Sequence, residues 1–481
     1  MSAARRDRLA LGLLALVALA ARLAYRIDHD EELDSLRFRL AVERFDVAAL
    51  RPHAPFYPVY IAVAKVVAWL GASPHHALGI VSAAAGAALV VLTALLAFEV
   101  LGRRAAWIAG ALALASPFLW LSSEKLVSDV PGAACVAASL WLLARARRLP
   151  ERAGELRTSA LILLGVGLGV RLSYFPFALV ALVVVARDEG SCGAYFTRAR
   201  DLAVGVVPWL VPLVILAGSR PLVFAALGQG HGHFTRWGGS ALTVTSPGDR
   251  LHGIVWGLWA NVLGGAWIDA PRARWIGAPL LAILLVFAAR RASLPALRRQ
   301  PELVFGALAY FVWATLGQNT AYKPRHWLPL APLLIVALAA GAEALSTRLR
   351  GGIVVAAILA AQWLVDGAAL AAAHRAPSPA AALVAFVAAS SDPAPIITLD
   401  LRSLLAEGAP GRAVLPVAAL DDLPAGGAWI TGEALSPAAS RALADHGLAA
   451  RLIFARPRSR YVDSLWSDLG LWAIGPIHPP K

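Results

Sequence analysis

Asp28-His29-Asp30-Glu31-Glu32-Leu33-Asp34-Ser35-Leu36-Arg37-Phe38 opens a charged stretch that ends in Arg51-Pro52-His53-Ala54-Pro55-Phe56-Tyr57-Pro58. Apolar sequence flanks it, at residues 9–24 before and 56–70 after. Asp28, Asp30, Glu31, Glu32 and Asp34 place a cluster of carboxylates just beyond the first apolar run. Ionised carboxylates in hydrocarbon carry a heavy desolvation cost. The stretch must therefore lie at a membrane surface or line a wet cavity, and the remaining chain is read as the scaffold around it.

The composition supports that frame. Of 481 residues, 59% are hydrophobic and 15% charged, with a mean hydropathy of +0.65. Soluble domains are about 45–50% apolar and about 25% charged, so the chain is an integral membrane protein. The formal net charge of +14 is carried by arginines in short gaps between apolar runs. That is the bias of cytoplasmic loops rather than a nucleic-acid footprint. Cys135 lies in an apolar run and Cys192 in a basic gap, which argues against a disulfide and offers no metal-ligand spacing.

Arg5, Arg6 and Arg8 precede the first run, which reads as an uncleaved span with a cytoplasmic amino terminus. Arg22 and Arg26 are expected to snorkel at its outer end. Residues 34–45 read as an amphipathic helix on the membrane, with Leu36, Leu40 and Phe45 on one face. Residues 56–70, which include Lys65, are short for a span and read as interfacial or re-entrant. Apolar runs at 76–101, 105–121, 126–144, 158–170, 173–186, 202–218, 275–289, 303–317, 327–345 and 352–371 bring the total to about eleven spans. The two short runs meeting at Arg171 form a tight pair turning at the outer surface. Residues 219–274 form a long outer segment with His231 and His233 in a glycine-rich loop and Trp256, Trp259 and Trp267 near the headgroups.

The expected architecture is an α-helical polytopic membrane domain over 1–374, with outer loops at 27–75 and 219–274. A small soluble extracytoplasmic α/β domain follows over 375–481. In it, residues 396–399, 413–415 and 451–454 read as strands, and 436–445 as a helix capped by Ser436.

Several short motifs are specific. The acidic loop followed by His53-Ala54-Pro55 resembles the leading segment of the GT-C superfamily of polyprenyl-phosphate-sugar transferases, which includes protein O-mannosyltransferases and lipid A aminoarabinose transferases. The family's Asp-Glu-aromatic pattern is matched by Asp34 to Phe38, with Ser35 in place of the glutamate. Ser123-Glu124-Lys125-Leu126-Val127-Ser128-Asp129 is similar to its acidic outer turn. Tyr322-Lys323-Pro324-Arg325-His326-Trp327-Leu328-Pro329 is similar to its late Pro-Arg-Tyr-Leu-Pro motif, with histidine for tyrosine.

The resemblance implies a GT-C fold, a polyprenyl-phosphate-linked sugar donor and an inverting transfer to an acceptor at the outer face of the bacterial cytoplasmic membrane. Asp34, or else Asp30 within the Asp30-Glu31 pair, would be the base that takes the acceptor proton. Arg171, Lys323, Arg325 and His326 would bind the donor phosphate, since cations at a membrane surface stabilise charge developing on a leaving phosphate. His53, Tyr57, Glu124 and Asp129 would support the acceptor or the loop. Neither a cofactor nor a metal is expected, and the acceptor class (protein, lipid or glycan) stays open. The competing readings are a transporter or flippase of a lipid-linked substrate and a non-catalytic scaffold. Residue by residue, the plainer alternatives are that the acids only solvate a loop and that the basic residues snorkel or pair with a loop acid.

Overall fold

The computed structural model describes residues 2–232, 234–235, 240–244, 246–266, 272–291, 299–320, 323–349, 351–398, 401–415, 427–432, 437–445, 447–457 and 469–476. His233, Trp267, Tyr322, Leu399 and Ser436 lie outside them. The chain divides into two compact units, Met1–Asp28 with Arg37–Ala372, and His29–Leu36 with Ala373–Lys481.

The first unit is helical. Its leading elements are α1 (Ala3–Tyr25), α2 (Leu33–Glu43), α3 (Pro58–Trp69), α4 (Pro74–Leu101), α5 (Arg103–Ala115), α6 (Pro117–Glu124), α7 (Asp129–Arg148), α8 (Ala153–Val170), α9 (Phe175–Asp188) and α10 (Cys192–Ala217). Further helices run over Arg272–Arg291, Pro301–Gly317, Ala331–Leu349 and Gly352–His374. The apolar runs read from the sequence fall on these helices, with 105–121 divided between α5 and α6 and 327–345 beginning in the 3-10 helix Pro324–Leu330. Local signals set the ends. Ser73 accepts a hydrogen bond from the His76 N–H, and Pro74 starts α4. Gly102, at φ +102°, ends that helix in a conformation that suits glycine.

Among the described residues six helices are long and apolar enough to cross a membrane, or seven if the bent pair α5 and α6 is one span. The other helices counted among the eleven expected spans do not meet that standard singly. The pair bends by 52°, at Ser116-Pro117, where the ring removes a backbone donor. Helix α3 is only 12 residues long, in keeping with the expectation that 56–70 is short for a span.

Helix α7 packs against both α4 and α8, and α8 against α10. At the last contact Gly165 and Gly205 face each other so closely that a Cβ on either would overlap the opposing backbone. One end of the bundle is stitched by ion pairs. Arg147 reaches Glu302 at 2.7 Å and Asp188 at 2.8 Å. Arg145 reaches Glu99 at 3.1 Å, Arg198 reaches Asp201 at 2.7 Å, and Arg103 reaches Asp7 at 2.8 Å. Many arginines of the basic gaps are thus partnered.

Three expectations change. His231 stands in the helix Ser219–Gly232 rather than in a glycine-rich loop. Arg22 does not snorkel. It is fully buried, donating from Nε to Ser123 Oγ at 3.3 Å and from Nη1 to the Ala18 carbonyl at 3.1 Å. Helix α2 does not present a bare apolar face to lipid. Phe38, Ala41 and Val42 are buried in one cluster with Tyr57, Tyr60, Ile61 and Ala64. Lys65, anomalous in an apolar run, donates to the Val42 carbonyl at 2.7 Å, satisfying an acceptor near the end of α2.

The second unit contains a five-stranded sheet in the order β2-β1-β3-β5-β4. The strands are β1 (Ile396–Ile397), β2 (Val414–Leu415), β3 (Ala428–Gly432), β4 (Leu448–Arg456) and β5 (Leu469–Pro476). Strand β1 pairs in parallel with β2 and β3, while β5 lies antiparallel between β3 and β4. Ile396, Trp429 and Leu471 from the sheet pack with Leu383, Val387 and Leu405 from the helices Pro379–Ala389 and Arg402–Gly408. The expected strands at 396–399, 413–415 and 451–454 fall on β1, β2 and β4, and the expected helix on Pro437–Asp445.

Candidate active site

The end of the bundle opposite the ion-paired arginines gathers four of the expected site residues. Asp129 sits in the first turn of α7, where a carboxylate suits the helix dipole. Arg171 follows α8 in extended backbone, φ −152° and ψ 99°. Arg325 and His326 lie in the short 3-10 helix Pro324–Leu330.

Arg171 Nη2 is 2.9 Å from Asp129 Oδ1, and Arg325 Nε is 3.8 Å from Asp129 Oδ2. Arg171 also donates from Nη1 to Ser128 Oγ at 3.1 Å, and its Nη2 is 3.3 Å from His326 Nδ1. All four side chains are buried. Two guanidinium groups therefore share one carboxylate, which holds like charges together. Among the described residues the buried Arg171 Nε has no hydrogen-bond partner. A further anionic acceptor fits that donor's chemistry.

Tyrosines brace the cluster. Tyr174 donates to the Asp129 carbonyl at 3.1 Å, and Tyr310 to the His326 carbonyl at 2.7 Å. The two rings meet edge to face at 5.5 Å, and the Arg171 guanidinium lies 5.6 Å from the Tyr174 ring centre. Gly132, one turn into α7, leaves the space that Arg171 and Tyr174 fill. Sequence reasoning passed over Ser128, Tyr174 and Tyr310. The first two adjoin expected residues, but Tyr310 lies inside an apolar run and carried no signal.

The other expected residues lie elsewhere. Lys323 is half-buried at the start of the late motif, its carbonyl accepting from the His326 N–H at 3.1 Å. His53 Nε2 meets the Tyr57 hydroxyl at 3.2 Å, with both residues buried. Phe56 and Tyr57 both take left-handed backbone, at φ 74° and 46°. Few non-glycine residues tolerate this, and it costs on the order of 1–3 kcal/mol each. Glu124 is fully buried at the end of α6, one residue beyond the serine that binds Arg22.

Asp30, Glu31 and Asp34 belong to the second unit. Asp30 and Asp34 are half-buried, whereas Glu31 is buried. The Ser35 hydroxyl accepts from the Glu32 N–H at 3.0 Å and donates to the Glu32 carbonyl at 2.7 Å, closing the turn that contains Asp34. Among the described residues no group of three or more His, Cys, Asp or Glu is placed to hold a metal ion.

Comparison with solved structures fixes the architecture. ArnT from Cupriavidus metallidurans in the apo state matches with a TM-score of 0.56 at 18% identity, covering 98% of both chains. The same organism's ArnT bound to undecaprenyl phosphate gives a TM-score of 0.57 at 17% identity over 100% of both chains. The chain has a GT-C fold. The apo Archaeoglobus fulgidus oligosaccharyltransferase gives 0.50 at 15% identity, over 85% of this chain and 64% of that one. Residues 52–218 match the family described as dolichyl-phosphate-mannose-protein mannosyltransferase. No curated protein matches the sequence. The expected resemblance to the GT-C superfamily is met by sequence in the first half of the chain and by fold throughout. The family match spans His53, Tyr57, Glu124, Asp129 and Arg171, and begins after the acidic turn.

Proposed function

We propose that this GT-C-fold protein is an inverting glycosyltransferase. It moves a sugar from a polyprenyl-phosphate carrier to an acceptor hydroxyl at the outer face of the cytoplasmic membrane. The observation that carries the reading is the Arg171–Asp129–Arg325 cluster with its spare Nε donor, in a fold shared with an ArnT that binds undecaprenyl phosphate.

The acceptor oxygen attacks the anomeric carbon as the bond from that carbon to the phosphate oxygen breaks. The bonding pair leaves with the carrier phosphate, and Asp34 (or Asp30) takes the acceptor proton. Arg171, Arg325, His326 and Lys323 meet the developing phosphate charge. Asp129 keeps the guanidinium groups in place before the donor arrives, so little reorganisation is needed in the transition state. His53, Tyr57 and Glu124 support the loop and the acceptor side.

The test incubates purified protein with radiolabelled polyprenyl-phosphate sugars and measures release of the carrier phosphate. Release that depends on acceptor supports the reading, and its absence across several sugars removes it. Sidedness is tested separately by reporter fusions. Arginine-rich gaps favour the cytoplasm, so fusions at Arg148 and Arg290 are expected to report cytoplasm and one at Ser391 the outside. A cytoplasmic signal at Ser391 would place the second unit on the wrong side for this reaction.

A further inference from the structure

The acidic turn is tied into the second unit by two contacts from residues more than three hundred positions away. His374 Nε2 lies 2.9 Å from Glu31 Oε1, with the side chains 3% and 4% exposed respectively. Ser378 Oγ donates to the Glu31 backbone carbonyl at 3.2 Å. The same hydroxyl accepts from the Ala381 N–H at 3.1 Å, capping the helix Pro379–Ala389. Glu31 is therefore held through its side chain by His374, the last residue of the helix Gly352–His374, and through its backbone by Ser378, the cap of Pro379–Ala389. Asp30 precedes it directly, and the turn closed by Glu32 and Ser35 carries Asp34.

We infer that the second unit sets the geometry of the acidic turn through Glu31 and His374, making His374 a positioning residue for the transfer step. The inference rests on the proposed transferase reading and deepens it. It also changes the part given to Glu31. A carboxylate buried against an imidazole and fixed at its own carbonyl is built to anchor the turn, while its neighbours Asp30 and Asp34 stay half-exposed. A base must sit within hydrogen-bond reach of the acceptor proton, and small misplacements are costly in rate. In the proposed reaction the donor phosphate is met by Arg171, Arg325, His326 and Lys323, none of which belongs to the turn.

The test compares His374→Ala with His374→Gln in the full-length protein. Alanine removes the N–H that faces Glu31, whereas glutamine retains an N–H able to reach it. The alanine variant is expected to lower kcat about tenfold or more with donor KM within about twofold, and glutamine to recover kcat to within about threefold of wild type. A second readout needs no activity. Hydrogen–deuterium exchange of the amides in residues 29–36 is expected to rise about tenfold in the alanine variant and little in the glutamine variant.

Unchanged exchange overturns the tether. Raised exchange with unchanged kcat, or a defect confined to donor KM, overturns the positioning role. If wild-type protein releases no carrier phosphate, the transferase reading fails by itself and the exchange arm still decides the tether. Should the alanine variant not fold, Ser378→Asp, which can still accept from the Ala381 N–H as a helix cap but cannot donate to the Glu31 carbonyl, is expected to move both readouts in the same direction by a smaller amount.

Discussion

Asp34→Asn is expected to lower turnover by about 100-fold or more, the scale of general base catalysis, with donor binding nearly unchanged. Asparagine keeps the size of the side chain and much of its hydrogen bonding but cannot take the proton. Asp34 lies in the first turn of α2, and the Ser35–Glu32 hydrogen bonds that close this turn do not involve its carboxylate. Because asparagine is nearly isosteric with aspartate, the fold is expected to survive the change. The proton moves only as the bond forms, so the loss belongs in kcat rather than donor affinity. Asp30→Asn is expected to be milder. The opposite ranking would move the base to Asp30 and keep the mechanism. Full activity in both variants and in the double variant would remove the acidic turn from catalysis, leaving the scaffold or transporter readings to explain it.

Arg171→Ala is expected to weaken donor use by roughly 10- to 150-fold, the equivalent of one charge-assisted contact worth about 1.5–3 kcal/mol. Its removal also takes away the nearer of the two cations that Asp129 shares. Breaking a buried pair from one side costs about 3–5 kcal/mol of stability, so activity must be normalised to folded protein. Arg171→Lys separates the two effects. Lysine keeps the charge beside Asp129 but lacks the planar fork that serves Ser128, Asp129 and a phosphate together. It is expected to restore folded yield while leaving a clear defect in steady-state use of labelled donor. Wild-type donor use in the lysine variant would reduce the role of Arg171 to holding Asp129. Arg325→Ala is expected to weaken donor use as well, since its guanidinium stands on the same carboxylate, with Nε 3.8 Å from Asp129 Oδ2.

The helical scaffold was legible because hydropathy is local. An apolar run reads as such wherever its neighbours lie, and those runs became helices, the run 105–121 as the bent pair α5 and α6. The short pair meeting at Arg171 was visible for the same reason. Strands β3 and β5 were not. Ala428-Trp429-Ile430-Thr431-Gly432 and Leu469-Gly470-Leu471-Trp472 are broken by glycines, and their strand character comes from pairing with each other in register Trp429 to Ala473. Arg22 looked like a snorkelling side chain because a sequence shows its distance from a helix end but not the Ser123 hydroxyl facing it from α6.

The candidate residues divide in the same way. The sequence by itself determined that acids cluster after the first apolar run, that Asp129 stands near the start of the run 126–144, and that Arg171, Arg325 and His326 stand at breaks between apolar runs, where a charged group can be retained. It could not show which of them meet. Asp129 and Arg171 are brought together by α7 packing on α8, and Arg325 with His326 by the seating of Pro324–Leu330 against α7. Only tertiary structure decided that two guanidinium groups share one carboxylate, because burial makes the pairing necessary and burial is a property of the packed bundle. Only tertiary structure joined Glu31 to His374, since closing so long a loop depends on the packing of the whole second unit and leaves no trace in either residue's neighbours.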